Sequence, residues 1–482
     1  MRLGSLIVLL VSIALFVINH VLFFGGYFGY DDMHYARLSY NLLHGEMDFA
    51  DHYSYRWPVL GFTALSYALF GVSDFATALP SLLLSLGILF LVYWHFKHSV
   101  YLILLSILLC CSIKWHVFYS DKITPDIYVS FFLFLAWSVY TRFSGDRFVF
   151  LNSIIFASSL FLAFLSKGTV LLIIPLLAFY FFRDFRKGDL YKWKYSIPIG
   201  LALLVAYLLL CYALTGDPLA RFHAISENSY FSSCSYDLLP RSELIHRISL
   251  GFIQLAWKES LLNFLIFAVL IWVYGRMTLN EEESKRKINM CFSSVVVLFL
   301  SLNFMTFSLT SYSPGCLDLR HYLFSVPIMS VCLVSMIRYL KISWFAKTIF
   351  LVAAILMLKP TIDHKVTSIP YDYPGTKQDL LVLADMLMDT EDVILSNTVF
   401  VNLLNYYSGF QLDNRLYTPD IFKLDRCGGK CYVLTNWYTE FFSGTTVSTI
   451  EENSEQYKLI GLEQSIYTEN TKGIYAHRIV EE

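Results

Sequence analysis

The sequence has little charge. Only 15% of its 482 residues are Asp, Glu, Lys or Arg, where an ordinary soluble domain carries about 25%. The net charge is −2, so no basic excess points to nucleic acid. No P-loop or zinc-finger spacing occurs, and neither does an internal repeat or a low-complexity tract. The missing repeat weighs against a transporter built from two related halves.

What the chain has instead is apolar length. Hydrophobic residues make up 56% of it. Runs long enough to cross a bilayer, or nearly so, lie near 5–24, 75–93, 99–113, 125–141, 150–165, 168–182, 195–214, 251–274, 289–309, 321–338 and 344–359. About eleven membrane helices are expected from them, the shorter ones tilted or paired with neighbours. The first run is long for the core of a signal peptide, and no small-residue cleavage site follows it. It reads as a retained helix.

Lys and Arg crowd the loops 183–195, 275–287 and 338–347. With a cytosolic N-terminus all three fall inside, as the positive-inside rule requires. The loops 25–74, 114–124, 215–250 and 310–320 then share the outer face with the C-terminal part. From about residue 361 the apolar runs give way to alternating helix and strand patterns, which read as a small α/β domain over 361–482. Cys110, Cys111, Cys211, Cys291 and Cys332 lie in or beside apolar runs and read as small hydrophobes. Cys427 and Cys431, in CGGKC, are spaced for a small disulfide loop if that stretch is outside the cytosol.

Polar residues at the outer ends of the runs form four groups. Asp31 and Asp32 follow the first run, and Asp31 is placed to cap a helix starting beside it. The stretch after them offers His34, Tyr35, Arg37, His44, Glu46, Asp48, Asp51, His52, Tyr55, Arg56 and Trp57 to a polar ligand. A carboxylate there suits a general base for an acceptor hydroxyl, and a close pair also suits a divalent cation. Asp121 and Asp126 precede a helix with Pro125 near its first turn, where capping competes with a supporting acid role. Lys167 interrupts two apolar runs; it either snorkels or binds an anion. Arg320, His321 and Tyr322 open the tenth run, and an outer arginine runs against the positive-inside bias. Arg221, His223 and Glu227 are weaker candidates.

The order of these groups resembles the polytopic GT-C glycosyltransferases of the protein O-mannosyltransferase and aminoarabinose transferase type, glycosyltransferase family 39-like. Asp31-Asp32 and the following M-H-Y-A-R resemble that family's acidic pair after its first helix. RWPVLGFTALSYALFG (56–71) resembles the stretch before its second helix, with Arg56 in place of the usual lysine. Asp126, Ser166-Lys167-Gly168, Arg320-His321-Tyr322-Leu323 through Pro327, and Tyr406-Tyr407-Ser408-Gly409 resemble its later motifs. The resemblance spans nearly the whole chain, through short motifs that are specific only as an ordered set.

The resemblance implies a multi-pass α-helical GT-C membrane domain over 1–360. It implies a polyprenyl-phosphate-linked sugar donor and an inverting transfer at the outer face of the plasma (inner) membrane. The acceptor would be a lipid, a glycan or a protein. Carried over, Asp31 is the catalytic base or acceptor-orienting acid, with Asp32 the close second choice, and Asp126 the supporting acid. Lys167, Arg320 and, with the substitution noted, Arg56 would contact the donor phosphate. His34, Arg37, Tyr55, Trp57, His321 and Tyr322 are the substrate-binding candidates. The need for a divalent cation, held by Asp31, Asp32 and Asp126, is open. A phosphoglycan or phospholipid-group transferase using the same cations on another donor, a transporter or flippase for a lipid-linked sugar, and a non-catalytic accessory subunit are the rival readings. The ionisable groups sit at helix ends and not at the midplane, which favours the enzyme.

Overall fold

The computed structural model describes residues 2–142, 148–227, 234–306, 311–340, 343–358, 361, 373–418, 430–436, 457–462 and 474–481. Its helices are α1 (Arg2–Phe23), α2 (Asp31–His44), α3 (Trp57–Phe70), α4 (Asp74–Phe96), α5 (Val100–Cys111), α6 (Lys114–Phe118), α7 (Pro125–Arg142) and α8 (Val149–Ser166). These are followed by α9 (Ile174–Arg186), α10 (Tyr191–Thr215), α11 (Ala220–Glu227), α12 (Arg241–His246), α13 (Phe252–Lys258), α14 (Leu261–Thr278), α15 (Glu282–Phe304), α16 (Ser325–Tyr339) and α17 (Trp344–Leu356). The chain is a multi-pass membrane protein. Among the described residues seven helices are long and apolar enough to cross a bilayer, or eight if α5 and α6, bent by 88°, form one span with the turn after them.

Every expected apolar run contains a helix among the described residues, but four fall short of the length-and-composition test. One is the bent α5. The others are α7, α16 and α17. In α7 and α16 nearly every residue is buried against other helices, so neither has to present a full apolar surface to lipid. The run at 251–274 is two helices. Ser260 takes a left-handed backbone (φ 62) and breaks it. The buried Glu259 beside the break accepts from Trp115 Nε1 at 3.0 Å and lies 3.2 Å from Lys114 Nζ. A carboxylate with two partners there outweighs continuity of the helix.

Two compact units divide the chain. The first comprises Met1–Leu22, Asp48–Val59 and Ser81–Val366. In it α8 packs on α7 and α10, and α16 packs on α5, α7, α14 and α15. Leu201, Val205, Leu209 and Tyr212 of α10 point outward, as a lipid-facing helix requires.

The second unit comprises Phe23–Met47, Leu60–Pro80 and Thr367–Glu482. Its sheet runs β2-β1-β3-β5-β4, from β1 (Val393–Leu395), β2 (Leu416–Tyr417), β3 (Cys431–Asn436), β4 (Tyr457–Leu462) and β5 (Ile474–Glu481). β1 pairs in parallel with β2 and β3, and β5 pairs antiparallel with β3 and β4. The short β2 has no apolar run of its own to announce it. Helix Thr398–Tyr407 leaves β1 and packs on α2. Asn397 starts that helix, its side chain accepting from Phe400 N at 2.9 Å.

Candidate active site

Lys167 sits where α8 stops. Its backbone is extended (φ −164, ψ 148), between α8 and the 3-10 turn Gly168–Ile173. Its N–H closes the last turn onto Ala163 O at 3.1 Å, and the side chain turns out of the helix line. Nζ donates to Asp126 Oδ1 at 2.7 Å and to His321 Nδ1 at 2.9 Å. Asp126 stands on the first turn of α7 behind Pro125, whose fixed φ suits a helix start. His321 stands on the 3-10 turn Leu319–Tyr322, capped by Asp318, which accepts from Arg320 N at 3.0 Å.

An ammonium has no lone pair, so His321 Nδ1 is the unprotonated nitrogen and Nε2 carries the proton. Burial, and then the Lys167 charge, hold the His321 pKa below its ordinary value, against the pull of Asp126. The imidazole is therefore neutral near pH 7. Burial also lowers Lys167, Asp126 raises it, and Arg320 and Arg56 lower it further, for a net fall. Both guanidiniums are thus close enough to act on the ammonium. Arg56 ends the 3-10 turn His52–Tyr55 and lies over the Tyr53 ring, 4.6 Å from its centroid. Arg320 Nε is 2.7 Å from Asp318 Oδ2. Three cations against two carboxylates form a net positive corner suited to phosphate oxygens.

The two adjacent aspartates differ. Asp31 is the first residue of α2 and is exposed; Tyr30 is the N-cap and offers no side-chain cap bond. The expected capping by Asp31 does not occur, because the helix starts one residue earlier. Asp32 is buried and folds back over the preceding loop. It accepts from Tyr30 N and Met33 N, each at 3.0 Å, and from Phe28 N. The same loop rests on helix Thr398–Tyr407, where Asn402 Nδ2 donates to Gly29 O at 2.8 Å. Gly29 has φ +82, and a Cβ there would meet Val399 O at 3.0 Å, so only glycine fits. Gly45 (φ 77) closes the other end of α2 with N–H bonds from Gly45 and Glu46 to the last carbonyls.

The remaining candidates divide. Tyr55 is fully buried, with its hydroxyl on Phe49 O at 2.8 Å, in a cluster with Leu165, Tyr207 and Cys211. Trp57 packs edge-on to Tyr207 beside that cluster. Tyr322 is also fully buried and donates to Cys316 O at 2.8 Å. These three support the loops around Lys167 and His321. Arg37 is exposed and pairs with Asp413 at 2.7 Å; His34 is half-buried on α2. Tyr406 of the Y-Y-x-G element is buried, with its hydroxyl on Thr77 at 2.8 Å and Asp74 at 3.2 Å. Asp74 also pairs with Lys377.

Sequence reasoning missed Arg247. It is fully buried in a π-helical turn, Arg247–Gly251. It donates to Gly315 O at 2.9 Å, to Asn303 O and Oδ1 at 3.0 and 2.7 Å, and to Tyr322 Oη at 3.1 Å. The segment carrying Arg320 and His321 hangs on this fork. The disulfide Cys234–Cys316 holds the same segment and was also missed. Cys431 is disulfide-bonded; Cys427 lies outside the described residues. Among the described residues no three His, Cys, Asp or Glu side chains group as a metal site. Asp32 accepts from backbone N–H groups and Asp126 Oδ1 accepts from Lys167.

No family model matches the chain, and no curated sequence matches it. Solved structures share its fold. ArnT from Cupriavidus metallidurans, bound to undecaprenyl phosphate, superposes with a TM-score of 0.59 over 96% of this chain and 98% of its own, at 12% identity. The oligosaccharyltransferase of Archaeoglobus fulgidus, in complex with Zn and sulfate, superposes with a TM-score of 0.51 at 12% identity, covering 98% of this chain and 72% of its own. The chain therefore has the GT-C fold of polytopic membrane glycosyltransferases. That fold runs over nearly the full length of ArnT, including the C-terminal part.

Proposed function

We propose that the protein is an inverting glycosyltransferase. It moves a sugar from a polyprenyl-phosphate donor to an acceptor hydroxyl at the extracytoplasmic face of the plasma (inner) membrane. The observation that carries the reading is the Lys167 ammonium, fixed between Asp126 and a neutral His321 at the break between two apolar helices, with Arg56 and Arg320 in electrostatic reach. The fold shared with ArnT, solved with undecaprenyl phosphate, agrees with it.

In this reading the three cations take the donor phosphate. Asp31 takes the proton from the acceptor hydroxyl as its oxygen attacks the anomeric carbon. The bond from that carbon to the phosphate oxygen breaks, and the electron pair leaves with polyprenyl phosphate. The cations stabilise the charge gathering there, so the leaving group needs no proton. Attack opposite the leaving group inverts the anomeric centre. Asp32 is assigned to fixing the loop, and its bonds from backbone N–H groups support Asp31 over it as the base.

Cys234–Cys316 supports the extracytoplasmic side. Both cysteines lie in loops that the distribution of Lys and Arg puts outside, and a disulfide persists in an oxidising compartment. Hexose or pentose transfer fits equally, and the domain over 361–482 is proposed to support the acid loop. The purified protein, given labelled polyprenyl-phosphate sugars and a membrane extract as acceptor source, should transfer label, and Asp31→Asn should not. Tight donor binding without transfer in any combination would move the reading to a flippase or an accessory subunit.

A further inference from the structure

A second cationic site lies among the residues that the charge rule places on the cytosolic side. The C-terminal end of α9 and the N-terminal half of α15 enclose a cleft of about 710 Å³, lined by Phe179, Arg183, Lys187, Arg286, Lys287 and Asn289, with Glu283, Met290 and Ser293 completing it. Four of its side chains are cationic and one is a carboxylate.

Their pairing is uneven. Arg183 is held by Asp184 through Nε at 3.0 Å and Nη2 at 2.7 Å, and Lys287 by Glu283. Lys187 and Arg286 are exposed and have no ion pair among the described residues. Two neutral donors complete the lining. Asn289 Oδ1 accepts from Trp272 Nε1 at 2.8 Å, which turns its amide N–H groups away from Trp272. Ser293 stands one turn further on. Phe179 and Met290 give the cleft an apolar wall.

Loop cations that merely set topology need no concave site. Here free cations, an amide, a hydroxyl and an apolar wall face one cavity between two spanning helices. We infer that this cleft binds a phosphate ester, and that the headgroup of an inner-leaflet anionic phospholipid supplies it. α9 and α15 also frame the turn after Lys167, since Ser301 Oγ of α15 donates to Leu172 O at 2.5 Å. A headgroup bridging Lys187 and Arg286 would tie these two helices at their far ends.

The test uses delipidated full-length protein in a zwitterionic detergent. Binding of phosphatidylglycerol, phosphatidylcholine and inorganic phosphate is compared by native mass spectrometry and by thermal shift. Phosphatidylglycerol should bind, phosphatidylcholine should not compete, and Lys187→Gln/Arg286→Gln should weaken phosphatidylglycerol about thirtyfold, as two basic groups at an anionic surface are worth. The double variant touches only exposed side chains and should keep the melting temperature of the lipid-free protein. Equal binding by the double variant, or no preference over phosphatidylcholine, overturns the site. Full occupancy by inorganic phosphate alone would keep the anion site and overturn the lipid as its source.

Discussion

Lys167 Nζ and Asp126 Oδ1 lie 2.7 Å apart, joining the end of one helix to the first turn of another. The carboxylate is almost completely buried, so each member of the pair depends on the other. Asp126→Ala should cost about 3 kcal/mol of stability, the penalty for leaving a buried charge alone. Lys167→Ala should lower donor affinity and transfer by about a hundredfold. The double variant Asp126→Ala/Lys167→Ala should be more stable than the sum of the single losses, read from denaturant unfolding in detergent.

The acidic pair should separate in a kinetic experiment. Asp31→Asn should lower turnover about a thousandfold with donor binding intact. Asp32→Asn should lower thermal stability as well, since three backbone N–H groups lose a charged acceptor. A fully active Asp31→Asn beside a folded, inactive Asp32→Asn would reverse the assignment.

Arg247 is a positioning residue. Arg247→Lys keeps the charge but not the fork that spans Asn303, Gly315 and Tyr322. The expected result is a loss of about 2 kcal/mol of stability and a higher KM for the donor, with kcat changed less. A fall in kcat alone, with KM and stability unchanged, would give Arg247 a different role.

His321 predicts a pH dependence of stability. Its folded pKa is lowered, so the unfolded chain binds the extra proton first, and stability falls as pH drops below about 6.5, the unfolded value. Above that pH this contribution is flat. Lys167 opposes protonation; Asp126 and Asp318 favour it. Thermal melts from pH 8 to pH 5 should show the fall, and His321→Gln should reduce it.

Cys234–Cys316 closes a long stretch of chain, 82 residues. Cys234→Ser should cost about 2–4 kcal/mol. In intact cells the bond should form only where the loops meet the oxidising side. A thiol at Cys234 that reacts with maleimide only after the cytosol is exposed would place these loops inside.

Much of the membrane part was legible because an apolar run is a local signal. Lys167 and Asp126 were visible because each breaks such a run. The break at Ser260 was not, since the partners that make Glu259 worth burying, Lys114 and Trp115, come from far away in sequence. Arg247 read as one more loop arginine, because most of its acceptors are backbone carbonyls that carry no residue signature. Cys234 and Cys316 sit in unrelated loops with no spacing to join them. The different surroundings of Asp31 and Asp32 depend on how the loop before them curls, which composition does not encode. The roles of Tyr55 and Tyr322 needed their burial to be seen.

The contact between Gly29 and Val399 has a consequence for biosynthesis. A ribosome delivers Gly29, Asp31 and Asp32 long before Val399 and Asn402, which stand on the helix that steadies their loop. Until that helix is made, the acids are present without the support that fixes them. A chain that stops short of that helix thus lacks a settled acid loop. Deleting residues 367–482 would recreate that unfinished state, so such a truncation reports on the loop before it reports on the choice of acceptor.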